Sequence, residues 1–210
     1  MNRKIFGTIQ DWPKQYISGV DLLHILDKSP DSRHGIIKRT IQEGYLIPIR
    51  RDLYLIKSSK QPLVNTFEVA TIIYGPSYVS FESALSYHGW IPEAVQTTTC
   101  ATVKRSKKFE TPIGLFSYEH IPIKAFSFGV EQHPQDDITL FIAAPVKALA
   151  DIIYARKRQW ATIDDLNEDL RIEPEKFKSS DKKLLEDLIE IYPSDQVRKT
   201  LSALQKGLIL

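Results

Sequence analysis

Apolar positions in the first sixty residues switch between helical and strand spacing. Ile5, Phe6, Ile9 and Trp12 fall on one side of a helix predicted over Arg3 to Trp12, and Pro13 ends it. Tyr16 and Ile17 read as a short strand. Ser18, with Asp21 three residues later, resembles a capping box ahead of Val20, Leu22, Leu23, Ile25 and Leu26. Ser29 suits the N-cap of a second helix, Pro30 its first position and Asp31 the positive end of its dipole. Ile36, Ile37 and Ile41 then form one buried stripe, and Gly44 marks the stop. Two β-prone runs follow, Tyr45–Ile49 and Leu53–Ile56, joined by a tight turn through Arg50, Arg51 and Asp52. Helix, short turn, helix and small hairpin is the order of a winged helix-turn-helix, whose second helix enters a groove.

Beyond this point the pattern changes. Lys57-Ser58-Ser59-Lys60-Gln61-Pro62 is a polar connector and the expected domain boundary. A helix is predicted from about Asn65 to Tyr74, stopped by Gly75-Pro76, and a second from a Ser80 cap to Gly89, with Phe81, Ala84 and Leu85 inward. From Thr97 to Ile142 the residues become β-branched and aromatic. Thr97–Val103, Leu115–Tyr118, Ala125–Phe128 and Ile138–Ile142 read as strands, with Lys104–Lys108 and His133–Asp137 as loops between them. Ala144-Pro145 opens a helix through about Tyr154, and Ile163–Leu170, Lys182–Ile191 and Gln196–Leu208 are helical and charged. The expected fold class is α+β. Residues 1–61 form a winged helix, 62–160 a mixed body and 161–210 a helical extension packed on that body.

Composition narrows the class. The chain has 210 residues, 42% of them hydrophobic and 26% charged, which is enough to bury a core. A single cysteine, Cys100, excludes an internal disulfide framework or a cysteine zinc site. No apolar run reaches membrane-helix length and the polar start carries no secretory segment, so a cytoplasmic protein with no membrane partner is expected. Net charge is only +2, but residues 1–61 carry 11 Lys and Arg against 6 Asp and Glu. A basic head on a neutral-to-acidic body fits a nucleic-acid-binding module.

The candidate reading groups follow from that head. On the second helix Ser32, Arg33, Lys38 and Arg39 lie away from the isoleucine stripe. Arginine near a helix start can fork onto guanine, while Lys38 and Arg39, further along, suit phosphate. Arg50 and Arg51 at the hairpin tip suit the adjacent backbone or minor groove. Lys104, Arg105, Lys107 and Lys108 form the sharpest charge run, a solvated loop or a second contact to phosphate or an acidic partner.

Enzyme chemistry is poorly represented. His24, His34, His88, His120 and His133 show no tight ligand spacing, so no metal is expected, and His88 reads as a helix-end histidine bonding a carbonyl. Ser83 with His88 lacks the G-x-S-x-G elbow of a nucleophile, and no glycine-rich phosphate loop calls for a nucleotide or other cofactor.

Two segments carry a family resemblance. Val79-Ser80-Phe81-Glu82-Ser83-Ala84-Leu85-Ser86-Tyr87-His88-Gly89 resembles the S-x-x-S-A-L-x-x-H-G signature of AbiEi-family antitoxins. Ala144-Pro145-Val146-Lys147-Ala148-Leu149-Ala150-Asp151-Ile152-Ile153 is similar to that family's P-x-x-A-L-x-D segment. The resemblance covers about residues 5–155, and the tail after Trp160 is more variable in such proteins. It implies a repressor whose winged helix binds inverted repeats of double-stranded DNA in its own promoter. It also implies a body that counteracts a nucleotidyltransferase-type toxin, without need of a stable complex. Asp52 departs from the family's wing turn, which usually carries glycine, and its charge would repel a phosphate.

The expectation is therefore a non-enzymatic DNA-binding repressor and antitoxin of a type IV toxin–antitoxin pair. Two other readings stand beside it. One is a winged-helix regulator whose body senses a small ligand or a protein. The other is a nuclease or nucleotide-modifying enzyme, for which Asp136 and Asp137 with Glu119 or Glu131 are the candidate carboxylates.

Overall fold

The structure is a computed structural model that describes residues 7–9, 11–26, 30–57, 64–135 and 138–208. The protein is mixed α+β with two separate sheets and divides into two compact units, 1–69 with 110–113 and 70–109 with 114–210. Residues 58–63, and with them the expected boundary, lie outside the described residues, as does the Ser29 cap. Of the helix expected over Arg3 to Trp12, residues 7–9 are described as helical and Ile9 is buried.

In the first unit β1 (Tyr16–Ser18) leads straight into α1 (Gly19–Leu26) through the capping box. The Ser18 amide donates to Asp21 Oδ2 at 2.9 Å, and the Asp21 amide donates back to Ser18 Oγ at 3.1 Å. The Ser18 hydroxyl also donates to that carboxylate, and this bond holds the Asp21 pKa below the usual aspartate value. Leu22 and Leu26, one turn apart, are buried, whereas Val20 and Leu23 face outward. The apolar run is thus one stripe and not a buried helix.

After three residues comes α2 (Pro30–Gln42). Its end is a Schellman motif: Tyr45 N–H reaches the Thr40 carbonyl at 3.0 Å and Gly44 N–H the Ile41 carbonyl at 2.9 Å. Gly44 has φ +76°, the left-handed turn for which glycine has no Cβ penalty. The hairpin β2 (Leu46–Arg50) and β3 (Leu53–Ile56) completes a sheet of order β1-β3-β2, both pairings antiparallel. Ile9, Ile17, Leu22, Leu26, Leu46 and Ile56 make the core, and Ile36, Ile37 and Ile41 of α2 pack against it.

The division between the units falls within α3 (Thr66–Ile73), and the second unit then runs through β4 (Ser77–Val79) and α4 (Phe81–Tyr87). Next come β5 (Thr97–Thr102), β6 (Lys107–Thr111), β7 (Gly114–His120), β8 (Val130–Gln135) and β9 (Ile138–Ala143). They build a six-stranded sheet of order β6-β7-β5-β4-β9-β8, in which β4–β9 and β5–β7 are parallel while β4–β5 and β8–β9 are antiparallel. Four helices follow: α5 (Pro145–Arg156), α6 (Ile163–Leu170), α7 (Asp181–Ile191) and α8 (Asp195–Gly207). Every residue of α5 from Val146 to Ile153 is buried, with α4, α7 and α8 packed around it. A helix buried on all sides is the centre of this unit.

The sheet corrects three expectations. Ala125–Phe128 is not a strand: Pro122 leads into a 3₁₀ turn at Ile123–Ala125 that tucks Ala125 inside. The chain then meets α5 so closely that a Cβ on Gly129, at φ +69°, would lie 3.0 Å from Lys147 Cβ. Lys107 and Lys108, read as loop, begin β6, and His133 lies within β8. Both unexpected strands are edges of the sheet, where charge and proline hinder pairing with another chain. No helix among the described residues is long and apolar enough to cross a membrane.

Candidate functional site

The outer face of α2 is the first candidate. Ser32, Lys38 and Arg39 are exposed there, joined by His34, Gly35 and Gln42, which the sequence reading passed over. Helical spacing alone would have found Gln42, three residues beyond Arg39 and four beyond Lys38. Arg33 departs from expectation. It lies three and four residues before Ile36 and Ile37, on the packed side of the helix, and is only half-exposed. Its Nε is buried with no hydrogen-bond partner among the described residues.

Arg50 and Arg51 are exposed at the hairpin. Arg50 Nη1 donates to the Arg51 carbonyl at 3.3 Å, and Arg51 lies 3.8 Å from the Asp52 carboxylate in an ion pair open to solvent. Such a pair is worth little. Asp52 itself has φ +57°, and its carbonyl accepts the Gly19 N–H at the start of α1 at 2.9 Å. The left-handed backbone explains why glycine is suited to this position; aspartate is among the few other residues that adopt it.

In the second unit the two signature segments meet. Asp151 on α5 accepts from Ser80 Oγ at 2.7 Å and Tyr78 OH at 2.9 Å on one oxygen. Its other oxygen accepts from Lys147 Nζ at 2.6 Å and from the Tyr192 hydroxyl, to which Lys147 also donates at 2.7 Å. The four acceptor positions of the carboxylate are used, and neither Lys147 nor Asp151 is exposed at all. Burial raises the Tyr78 and Tyr192 hydroxyls well above their ordinary range, and lowers Lys147 against the pull of Asp151. Ser80 consequently does not cap α4 with its side chain as expected. Its hydroxyl is spent on Asp151.

A second ionic group surrounds Arg156. Its guanidinium bonds both Glu82, at 2.9 Å through Nη2 and more closely through Nη1, and Glu119, at 2.9 and 3.1 Å. It also stands 5.2 Å from the centre of the Phe81 ring. Phe81 has φ +55° at the strand-to-helix turn, a costly backbone for an aromatic residue that the surrounding contacts hold in place. Glu119 is therefore engaged by Arg156 and Glu131 lies beside His88 and His133, while Asp136 and Asp137, the remaining carboxylates of the nuclease reading, lie outside the described residues. Ser83 Oγ accepts the Thr99 amide at 2.8 Å, tying α4 to β5. Its hydroxyl is bonded to the Thr97 carbonyl at 3.3 Å and not to His88.

The basic run is ordered and exposed. Lys104 donates to the Gly75 carbonyl and lies 5.3 Å from the Tyr74 ring centre, and Lys107 stands over Phe109 at 4.8 Å. Arg105 and Lys108 are exposed beside them. The same unit holds a cavity of about 450 Å³ lined by Tyr78, Phe126, Val130, Gln132 and Phe141 among others.

His88 follows α4 and, as expected, bonds a carbonyl, with Nε2 3.1 Å from Ala143 O. Glu131 and His133 of β8 stand beside it. The sequence reading missed this grouping because 43 residues separate Glu131 from His88. The only local signal was E-x-H on one strand, which puts both side chains on one face.

No known protein family matches the chain, and no curated protein matches it.

Proposed function

We propose that the first unit is a winged helix that binds duplex DNA and that the protein is a transcriptional repressor. The observation that carries the reading is the outer face of α2. Its packed side is isoleucine, and its open side offers Ser32, Lys38, Arg39 and Gln42. The order β1-α1-α2-β2-β3, with β1 paired to β3, supports this reading, in which the β2–β3 hairpin serves as the wing and Arg50 and Arg51 stand at its turn. Ser32 and Arg39 reach base edges in this scheme, Lys38 and the wing arginines grip phosphate, and Arg33 supports the helix from behind. The DNA is double-stranded and carries inverted repeats in the protein's own promoter.

The body is an antitoxin-like domain that counteracts a nucleotidyltransferase-type toxin. Its support is the resemblance of the two signature segments, together with the Ser80–Asp151 bond that links their polar residues. Lys104, Arg105, Lys107 and Lys108 are its contact surface for an acidic partner or nucleic acid. A ligand-sensing body is the second reading, favoured by the cavity at Tyr78, Phe126 and Phe141.

The test is a fluorescence titration of the full chain with its promoter DNA at several salt concentrations. Affinity falls by roughly a factor of 10 or more between low and physiological salt if several phosphates are neutralised. A flat salt response overturns the DNA-binding reading. Asp52→Gly should tighten the complex by roughly fivefold, since one unfavourable charge near phosphate costs about 1 kcal/mol in water. The same substitution relieves a left-handed backbone, so the melting temperature should hold or rise. Unchanged affinity would mean that the turn stands clear of the DNA.

A further inference from the structure

We propose that His88, Glu131 and His133 form a binding site for one divalent transition-metal ion of the zinc type. Among the described residues this is where three such side chains converge: one ligand atom from each lies within 4.8 Å of the other two. Glu131 Oε2 is 3.1 Å from His133 Nε2 and 3.8 Å from His88 Nε2. Metal–nitrogen and metal–oxygen bonds of about 2.0–2.1 Å at tetrahedral angles set neighbouring ligand atoms roughly 3.3 Å apart. The two observed separations bracket that value. Side-chain rotations would have to complete the geometry.

The fold supplies the rigidity such a site needs. Glu131 and His133 alternate along β8 and so share a face, with the strand held in antiparallel register on β9. His88 is fixed at the end of α4, where its amide donates to the Ala84 carbonyl at 3.0 Å. Tyr87 stands edge-on to both imidazoles, its ring centre 5.2 Å from each. Its hydroxyl lies 3.4 Å from His133 Nδ1. When Nε2 of His133 ligates, Nδ1 carries the proton and donates to that hydroxyl, the usual way a ligating imidazole is oriented from behind.

The chemistry also suits a borderline metal. Two neutral imidazoles and one carboxylate favour zinc, nickel, copper or cobalt over magnesium or calcium. His88 gives up its 3.1 Å contact with Ala143 O and shifts its proton to Nδ1 on binding. Three neighbouring carboxylates of the unit are already paired, Asp151 with Lys147 and Glu82 and Glu119 with Arg156. Among the described residues, Glu131 pairs with the two histidines. Its side chain is 47% exposed and those of His88 and His133 are 16% and 27% exposed, so the ion can enter and solvent can take the fourth position.

The test is calorimetric titration of the full chain with Zn²⁺, followed by the visible spectrum of the Co²⁺-substituted protein. One ion per chain at micromolar affinity or better is expected, with a four-coordinate cobalt spectrum. Glu131→Gln and His133→Asn should each weaken binding by roughly tenfold or more and abolish that spectrum, whereas Tyr87→Phe should weaken it less. Both substitutions are on an edge strand, so the metal-free melting temperature should stay as in the parent. The triple change His24→Asn, His34→Asn and His120→Asn should leave affinity unchanged. Zinc binding that survives His133→Asn, or is lost in the triple variant, overturns the site, as does the lack of saturable binding.

Discussion

Asp151→Ala is expected to lower the melting temperature of the second unit by roughly 10 °C. The substitution leaves the Lys147 ammonium without its counter-ion at a position with no exposure, and strands the hydroxyls of Ser80, Tyr78 and Tyr192. Removing one partner of a buried pair costs about 3–5 kcal/mol. In a domain of this size each kcal/mol corresponds to about 2–4 °C. Asp151→Asn should fare little better, because it preserves shape but not charge. Replacing the pair together, Lys147→Met with Asp151→Leu, should recover part of the loss, since two apolar groups need no counter-ion. Recovery would stop short of the parent because three hydroxyls remain without an acceptor. Thermal unfolding of the three variants checks the scheme. An Asp151→Ala shift under about 2 °C would mean that water reaches the pair and that its burial is not what holds α5 in place.

The second large effect concerns α2, the proposed reader helix. Lys38→Ala with Arg39→Ala should reduce affinity for promoter DNA by roughly 30-fold or more and flatten its salt dependence by about one unit of slope per lost phosphate contact. Both side chains are exposed, so the melting temperature of the variant should match the parent. Arg33→Ala, by contrast, should act through stability, since that side chain lies on the packed side of α2 with a buried Nε. For the proposed antitoxin role, co-expression with a nucleotidyltransferase-type toxin encoded beside it would separate repression from neutralisation. Growth should survive the double substitution in α2 and fail when Lys104, Arg105, Lys107 and Lys108 are all changed to alanine. The reverse pattern would assign protection to repression alone, and the antitoxin role of the body would fall.

Local rules were enough for the elements whose signals are local. Thr162 and Asp165 cap α6 from both sides, and the helix runs over Ile163–Leu170 as its pattern requires. The Ser18–Asp21 box and the Gly44 stop are of the same kind: residues three to five apart satisfy each other's backbone groups, whatever the rest of the chain does. The interior strands β5, β7 and β9 were legible because a buried strand must be apolar, aromatic or β-branched. Edge strands obey the opposite demand. Lys107, Lys108 and Glu110 on β6, and Glu131, Gln132 and Pro134 on β8, guard open backbone edges against pairing, and so resemble loops.

The polar sites divide along the same line. That Lys38 and Arg39 face outward follows from helix periodicity, and the sequence determined it by itself. The same periodicity, applied to Arg33, would have set that residue beside Ile36 and Ile37. Tertiary structure decided the rest. Ser80 looked like a helix cap until Asp151, 71 residues on, took its hydroxyl. Glu119 looked like a free carboxylate until Arg156 enclosed it. His88, Glu131 and His133 carry no sequence spacing of a ligand set, because a helix end and a sheet edge bring them together. Such contacts are chosen by packing, as buried charge must find its counter-charge wherever the fold delivers one, and no periodicity along the chain records the meeting.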